Sequence, residues 1–255
     1  MIKPGVIRAA GIVVPAHDEE LLLPSCLSAL HQAVSCLAIP VHVLVVADSC
    51  TDGTVAAALA CGARVISVQG RSVGAARAAG MTEVLRLSGA ADPAAVWLAT
   101  TDADTVVPPG WLRRQLACAD QGWDVVLGTV TVTDWSEHPP QVPTAFEARY
   151  ASPGRPHAHV HGANLGIRAS AYLAAGGFTP LRTAEDHALV AAAARAGCSV
   201  LRASDIPVQT SARRQARAPL GFSHLLRTLA PPASAGQLTR FCGVMRYFSP
   251  VACRA

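Results

Sequence analysis

The stretch Trp97-Leu98-Ala99-Thr100-Thr101-Asp102-Ala103-Asp104 reads as a buried strand that runs into two carboxylates. Apolar side chains carry it to Thr100, and the pattern breaks at Asp102 and Asp104. Residues two apart in an extended segment point to the same side, so the two acids are expected to face one way. They repel each other unless a cation lies between them or one binds a proton. A strand that ends like this constrains the chain to a fold in which the carboxyl edge of a sheet binds something, as in open α/β proteins. Taken alone, Asp-X-Asp followed by Pro108-Pro109-Gly110 also suits a solvated turn, so the rest of the chain has to decide.

The same device occurs twice earlier. Val6 to Val14 is a short apolar run that leads into Pro15-Ala16-His17-Asp18-Glu19-Glu20 and a Leu-rich helical segment to Leu37. Val41 to Val46 is β-branched and leads into Asp48-Ser49-Cys50-Thr51-Asp52-Gly53-Thr54, where Asp52 suits either a ligand contact or a helix cap beside Thr54. A short Ala-rich helix then runs to Gly62, Arg64 to Val68 reads as a strand, and Gly70-Arg71-Ser72-Val73-Gly74 opens a helix through about Leu87. Gly110 to Gln121 supplies the helix after the Trp97 strand. Strands and helices alternating at short spacing predict an α/β fold, Rossmann-like, with a mostly parallel sheet covered by helices on both faces. At 255 residues the chain suits one domain.

The second half is less regular. Asp124 to Val132 and His159 to Ile167 read as strands, residues 134–158 as a loop with a short helix near Phe146, and Glu185 to Ala196 as a helix ending at Gly197. Beyond Pro207 only residues 220–229 and 236–248 have weak amphipathic spacing. Net charge is +4, yet residues 202–255 hold eight Arg against the single acid Asp205, so the rest of the chain is net acidic. In that tail Arg213, Arg214, Arg217, Arg227, Arg240 and Arg246 alternate with Phe222, Leu225, Leu226, Leu229, Phe241 and Phe248. Such a pattern can lie on an anionic membrane surface, close the cleft with Arg213 or Arg214 reaching a diphosphate, or pack on the domain. Pro219, Pro231 and Pro232 interrupt any long amphipathic helix and favour the last two.

Several classes are excluded. No uncharged apolar stretch of spanning length appears, and Met1-Ile2-Lys3-Pro4-Gly5 opens no secretory signal, so a cytoplasmic location is expected, with any membrane contact peripheral, at the inner face. The eight cysteines form no Cys-X-X-Cys pair and read as reduced thiols. Neither a Gly-X-Gly-X-X-Gly after the first strand nor a Gly-X4-Gly-Lys-Ser/Thr is present. A basic tail can meet phosphates, nucleic acid or an anionic membrane surface, but a solvated basic face is the commoner explanation, and no nucleic-acid partner is expected. Acids at the first two strand ends can still accept hydrogen bonds from a base or ribose, and the Trp97 strand offers a hard-cation site for a diphosphate.

Pro15 to Glu20, Asp48 to Thr54, Gly74-Ala75-Ala76-Arg77-Ala78-Ala79-Gly80, Asp102-Ala103-Asp104, Gly176-Gly177-Phe178 and Glu185-Asp186 follow the order and spacing of family 2 glycosyltransferases of the GT-A fold, which residues 6–200 resemble. The resemblance implies inverting transfer of a sugar from a nucleotide-diphosphate sugar, a UDP-sugar before a GDP-sugar, to an acceptor hydroxyl, with Mn²⁺ or Mg²⁺. It implies donor contacts at Pro15, His17, Glu19, Asp48, Arg71, Arg77 and Asp102, with Asp48 on the base. Asp104 and Asp102 would hold the metal, and Glu185 with Asp186 would form the catalytic pair, Asp186 as general base. It divides the chain into a glycosyltransferase domain, 1–210, with a donor half at about 6–105 and an acceptor and catalytic half at about 106–210, and a basic C-terminal extension, 211–255.

This chain departs from the family at Ala47, where a first acid is usual, and at Ala78, where Asn is common. The acceptor stays open, as does the part played by His157, His159 and His161, which can share one face and bind a transition metal, although histidines satisfied within the fold or facing an acceptor are favoured. A nucleotidyltransferase on a related fold would need a Gly-rich, Arg-containing loop after the first strand, where Pro15 to Glu20 stands instead. A zinc deacetylase would need more ligands than His17-Asp18-Glu19 supplies. A non-catalytic nucleotide-sugar-binding module would have no use for Asp102, Asp104, Glu185 and Asp186 together.

Overall fold

The computed structural model describes residues 5–89, 91–150, 157–215 and 221–229. A seven-stranded sheet forms the centre, in the order β3 (Arg64–Val68), β2 (Val41–Asp48), β1 (Ala9–Ala16), β4 (Val96–Thr100), β8 (Leu165–Arg168), β6 (Val125–Leu127) and β9 (Val200–Arg202). Strands β1, β2, β3 and β4 are parallel neighbours. β8 runs antiparallel between β4 and β6, and β9 lies parallel to β6 at the edge. A small second sheet joins β5 (Thr105–Val106), β10 (Val208–Thr210) and β7 (Val130–Thr131).

β1 is apolar almost throughout because it is covered on both faces. Ile12 and Val14 point into a layer with Trp97, Trp111, Leu27 and Leu30, built by α1 (Leu23–Val34) and α4 (Trp111–Asp120). Val13 points the other way, into a layer with Leu44, Met81, Val84 and Leu98 under α3 (Val73–Ser88), α6 (Ala169–Ala174) and α7 (Glu185–Arg195). α3 lies unusually close to the sheet, since a Cβ at Gly80 would run into Val13. α2 (Thr54–Ala60) links β2 to β3, and α5 (Gln141–Tyr150) packs with α8 (Phe222–Leu229) around Phe146, Ala212 and Leu226.

The first half follows its sequence pattern, and the second departs from it in places with identifiable causes. The run 124–132 is two strands in two sheets, broken at Gly128, where the Asn164 side chain packs so closely that a Cβ would collide with it. Asn164 Nδ2 donates to the carbonyls of Thr129 and Ile206 at 2.8 and 2.7 Å and so holds the crossover. The strand expected from His159 to Ile167 begins only at Leu165, after a 3-10 turn at Gly162–Asn164. The strand reading also fails at the acids themselves: β4 ends at Thr100, and Thr105 N–H closes a turn on the Asp102 carbonyl at 3.1 Å. Strands β5, β9 and β10 have two or three residues and carry no periodic signal. Residues 236–248, with Arg240 and Arg246, lie outside the described residues, as does Arg217.

Candidate active site

The carboxyl ends of β1, β2 and β4 and the N-terminus of α7 converge on one cavity of about 530 Å³. Pro15, His17, Glu19, Asp48, Arg71, Arg77, Asp102, Asp104, Glu185 and Asp186 all line it. Two different kinds of partner hold its acids.

At the β1 and β2 ends the partners are backbone amides. Asp48 Oδ1 accepts the N–H groups of Gly70 and Arg71 at 2.7 and 2.8 Å and the Ser49 hydroxyl at 3.0 Å, and Oδ2 accepts Ser72 N–H at 2.8 Å. Burial opposes ionisation of Asp48, yet these donors outweigh it and hold the carboxyl below the ordinary range. The loop so gathered passes through a left-handed residue, Arg71 at φ 45°, and starts α3, whose first turn the Ser72 hydroxyl caps through Ala75 N–H. His17 Nδ1 donates to the Asp48 carbonyl at 2.7 Å. Asp18 accepts Thr51 N–H at 2.6 Å, and Asp52 accepts Thr54 N–H at 3.0 Å and Glu20 N–H at 3.1 Å, so Asp52 fixes the turn that leads into α2, whose N-cap is Gly53. Asp18, Cys50 and Asp52 bring their ligand atoms within 4.8 Å of one another.

Deeper in, the partners are arginines. Arg77 is 3% exposed and donates to Thr100 Oγ1, to Asp102 at 2.5 Å and to Glu185. Burial works against its charge, but Asp102, Glu185 and Asp186 outweigh burial and stabilise the guanidinium. Glu185, itself buried, is pushed above the usual carboxylate range by desolvation, with Arg77 opposing. Arg213, which enters from beyond β10, forks onto Glu19 at 2.7 and 2.5 Å and reaches Asp104 at 2.9 Å. Burial raises the Asp104 carboxyl; Arg213 pulls it back, and the charges of Asp102 and Glu19 push it further up.

On the opposite wall Asp186 accepts Gly162 N–H through Oδ2 at 2.8 Å and its neighbour His187 N–H through Oδ1 at 2.7 Å. The His157, His159 and His161 rings stand in parallel with spacings of 5.8 Å, and Tyr150 stacks on His159 at 3.8 Å. His157 Nε2 and His159 Nε2 donate to the carbonyls of Leu127 and Tyr150, and among the described residues no cluster of ligand atoms includes these histidines. Ser72, Gly162, Tyr150 and the Arg213 fork onto Glu19 escaped the sequence reading. An Arg-rich tail signalled that a cation was available, but nothing local indicated which acids it would meet.

With this geometry in place, the profile described as glycosyl transferase family 2 matches residues 11–174. The chain belongs to glycosyl transferase family 2. Its fold is the α/β fold of solved glycosyltransferases, although sequence identity to them is low. Staphylococcus aureus TarS 1–349, solved with UDP-GlcNAc, aligns at TM-score 0.58 and 16% identity over 82% of this chain and 60% of that one. A mannosyltransferase from Pyrobaculum calidifontis, solved with GDP-Man and Mn²⁺, aligns at TM-score 0.58 and 18% identity over 89% and 70%. Mycobacterium tuberculosis glucosyl-3-phosphoglycerate synthase, solved with Mn²⁺, UDP and phosphoglyceric acid, aligns at 0.54 and 17% over 89% and 80%. The chain thus spans about 60% of the TarS 1–349 chain. No curated protein matches it closely enough to count as a relative. Among the described residues no helix is long and apolar enough to cross a membrane.

Proposed function

We propose that this family member transfers a sugar from a nucleotide-diphosphate sugar to an acceptor hydroxyl with inversion. The observation that carries the reading is the single cavity with Asp102 and Asp104 at the β4 end and Glu185 and Asp186 at the start of α7. The β1 and β2 edge, with Pro15, His17, Asp48 and Arg71, would take the nucleotide. UDP-GlcNAc, UDP and GDP-Man in the similar structures support such a donor. A cytoplasmic supply of sugar nucleotides suits this role.

The donor set fits a divalent cation. Glu19, Asp48, Asp102, Asp104, Glu185 and Asp186 line the cavity against four arginines, Arg71, Arg77, Arg182 and Arg213, so negative charge is in excess among hard oxygen ligands. Asp104 and Asp102 would hold Mn²⁺ or Mg²⁺, which when bound supplies Lewis-acid stabilisation to the departing diphosphate. Asp186, fixed by Gly162 N–H, takes the proton of the acceptor hydroxyl as its oxygen bonds to the anomeric carbon. The bond from that carbon to the diphosphate oxygen breaks in the same displacement, so the configuration inverts. Arg77 holds Glu185 beside the base and Asp102 toward the donor.

A thermal-shift panel of UDP, GDP, ADP and dTDP with Mn²⁺ identifies the donor base, because a ligand of the folded state raises the melting temperature. Nucleoside diphosphate release from the matching sugar nucleotide then tests transfer. Asp104→Ala is expected to stay folded and lose the Mn²⁺-dependent part of nucleotide affinity, while Asp186→Asn keeps that affinity and turns over at least about a hundredfold more slowly. A wild type that binds no nucleotide, or an Asp186→Asn with full turnover, overturns the reading.

A further inference from the structure

Of the residues around the cavity, His161 is one whose hydrogen-bonding state its neighbours dictate. Tyr150 Oη accepts Val130 N–H at 2.9 Å and lies 2.8 Å from His161 Nε2. Accepting that N–H leaves the phenol proton free to be donated, and among the described residues Nε2 is the one acceptor within its reach. Tyr150 therefore donates and Nε2 accepts, which leaves the proton of a neutral imidazole on Nδ1. His157 and His159 take the opposite arrangement, since their Nε2 atoms face carbonyls and must donate.

His161 lines the cavity, and its Nδ1 atom has no partner among the described residues and is not one of the fully buried polar atoms that lack one, so it keeps some exposure and is free to meet a ligand. Burial, with His159, His187 and His157 adding and Asp186 opposing, pushes the His161 pKa down to about 4, which keeps the ring neutral at pH 7. His161 directly precedes Gly162, whose N–H holds Asp186. The donor on His161 and the base on Asp186 thus share one wall. Phe222 stands edge-on to the His161 ring at 6.1 Å, and Val130, Val160 and Leu225 continue that wall as an apolar surface.

We propose that His161 is the acceptor-specificity residue: its Nδ1–H, oriented by Tyr150, donates to an oxygen of the acceptor one or two carbons from the hydroxyl that Asp186 activates. The acceptor is accordingly a polyol or glycoside whose C–H face rests on Phe222 and Leu225. This inference rests on the glycosyl-transfer reading above.

Two measurements test it. In protein carrying ¹⁵N-labelled histidine, long-range ¹H–¹⁵N correlation at pH 7 is expected to show His161 as the neutral Nδ1–H form; an Nε2–H or imidazolium ring there overturns the proposal without any variant. With the sugar nucleotide selected by the thermal-shift panel, methyl β-D-glucopyranoside and trans-1,2-cyclohexanediol are expected to exceed cyclohexanol in kcat/KM by about tenfold, the scale of one hydrogen bond. His161→Phe should erase that preference through KM while nucleotide affinity stays unchanged, and His161→Asn, whose amide N–H can stand in for Nδ1–H, should restore part of it. A preference absent from the wild type, or surviving in a folded His161→Phe, overturns the inference and leaves glycosyl transfer standing. A wild type that releases no nucleoside diphosphate from any sugar nucleotide fails at the earlier step.

Discussion

The acids at the β1 and β2 ends and the acids around Arg77 and Arg213 carry the same charge, yet they are held in opposite ways. Asp18, Asp48 and Asp52 accept backbone N–H groups from nearby loops, and among the described residues no guanidinium touches Asp48 or Asp52. Glu19, Asp102, Asp104 and Glu185 rest on guanidinium groups, and the Arg213 partner of Glu19 lies 194 residues away. Amides are neutral and part of the chain, so they set geometry permanently. An arginine is a charged side chain on a flexible stem, and its carboxylates are left unbalanced when it moves. The β1 and β2 edge of the cavity is thereby held by the chain's own amides, whereas the end around Arg77 and Arg213 is balanced charge against charge.

The largest effect that would break this contrast is at Arg77. Arg77→Ala leaves Glu185 buried and Asp102 half-buried without their cation, and is expected to destabilise the fold by about 3–5 kcal/mol in urea unfolding. A loss of less than about 1 kcal/mol would mean that these carboxylates are balanced from elsewhere. A smaller effect is expected at Asp48. Asp48→Asn keeps one acceptor but places an amide donor against N–H groups, at a cost of about 2 kcal/mol at pH 7.

That second change also has a pH signature of fixed sign. Because the folded pKa of Asp48 lies below its ordinary 3.8, the stabilisation is present above that value and is lost as pH falls through the folded pKa. The gap between wild type and Asp48→Asn should therefore be constant from pH 7 to about 5 and close only in strong acid; a gap that closes near neutral pH assigns it to another group. The smallest change is Asp52→Ala, which removes the acceptor of Thr54 N–H and Glu20 N–H in the turn before α2 and should cost about 1 kcal/mol with nucleotide affinity unaltered. A large loss of nucleotide affinity there would move Asp52 from the scaffold into the site.

The sequence by itself determined the first hundred or so residues of the chain. β-branched runs closed by acids and Gly-rich turns specify β1 to β4 and their helices, because strand alternation, caps and turns are local and a short window contains them. The ten residues the sequence singled out as ligands and catalytic groups line one cavity, which brings them together without assigning their roles. The tertiary structure decided how they are used. That Arg77 bridges Asp102 and Glu185, that Arg213 covers Glu19 and Asp104, and that Tyr150 orients His161 are pairings between segments whose spacing in the chain carries no period. It decided, too, that residues 124–132 split between two sheets, because Asn164 and Gly128 meet only after the chain has folded. Local patterns report the energy of nearby neighbours; the balance of buried charge depends on which distant side chains the fold brings within reach.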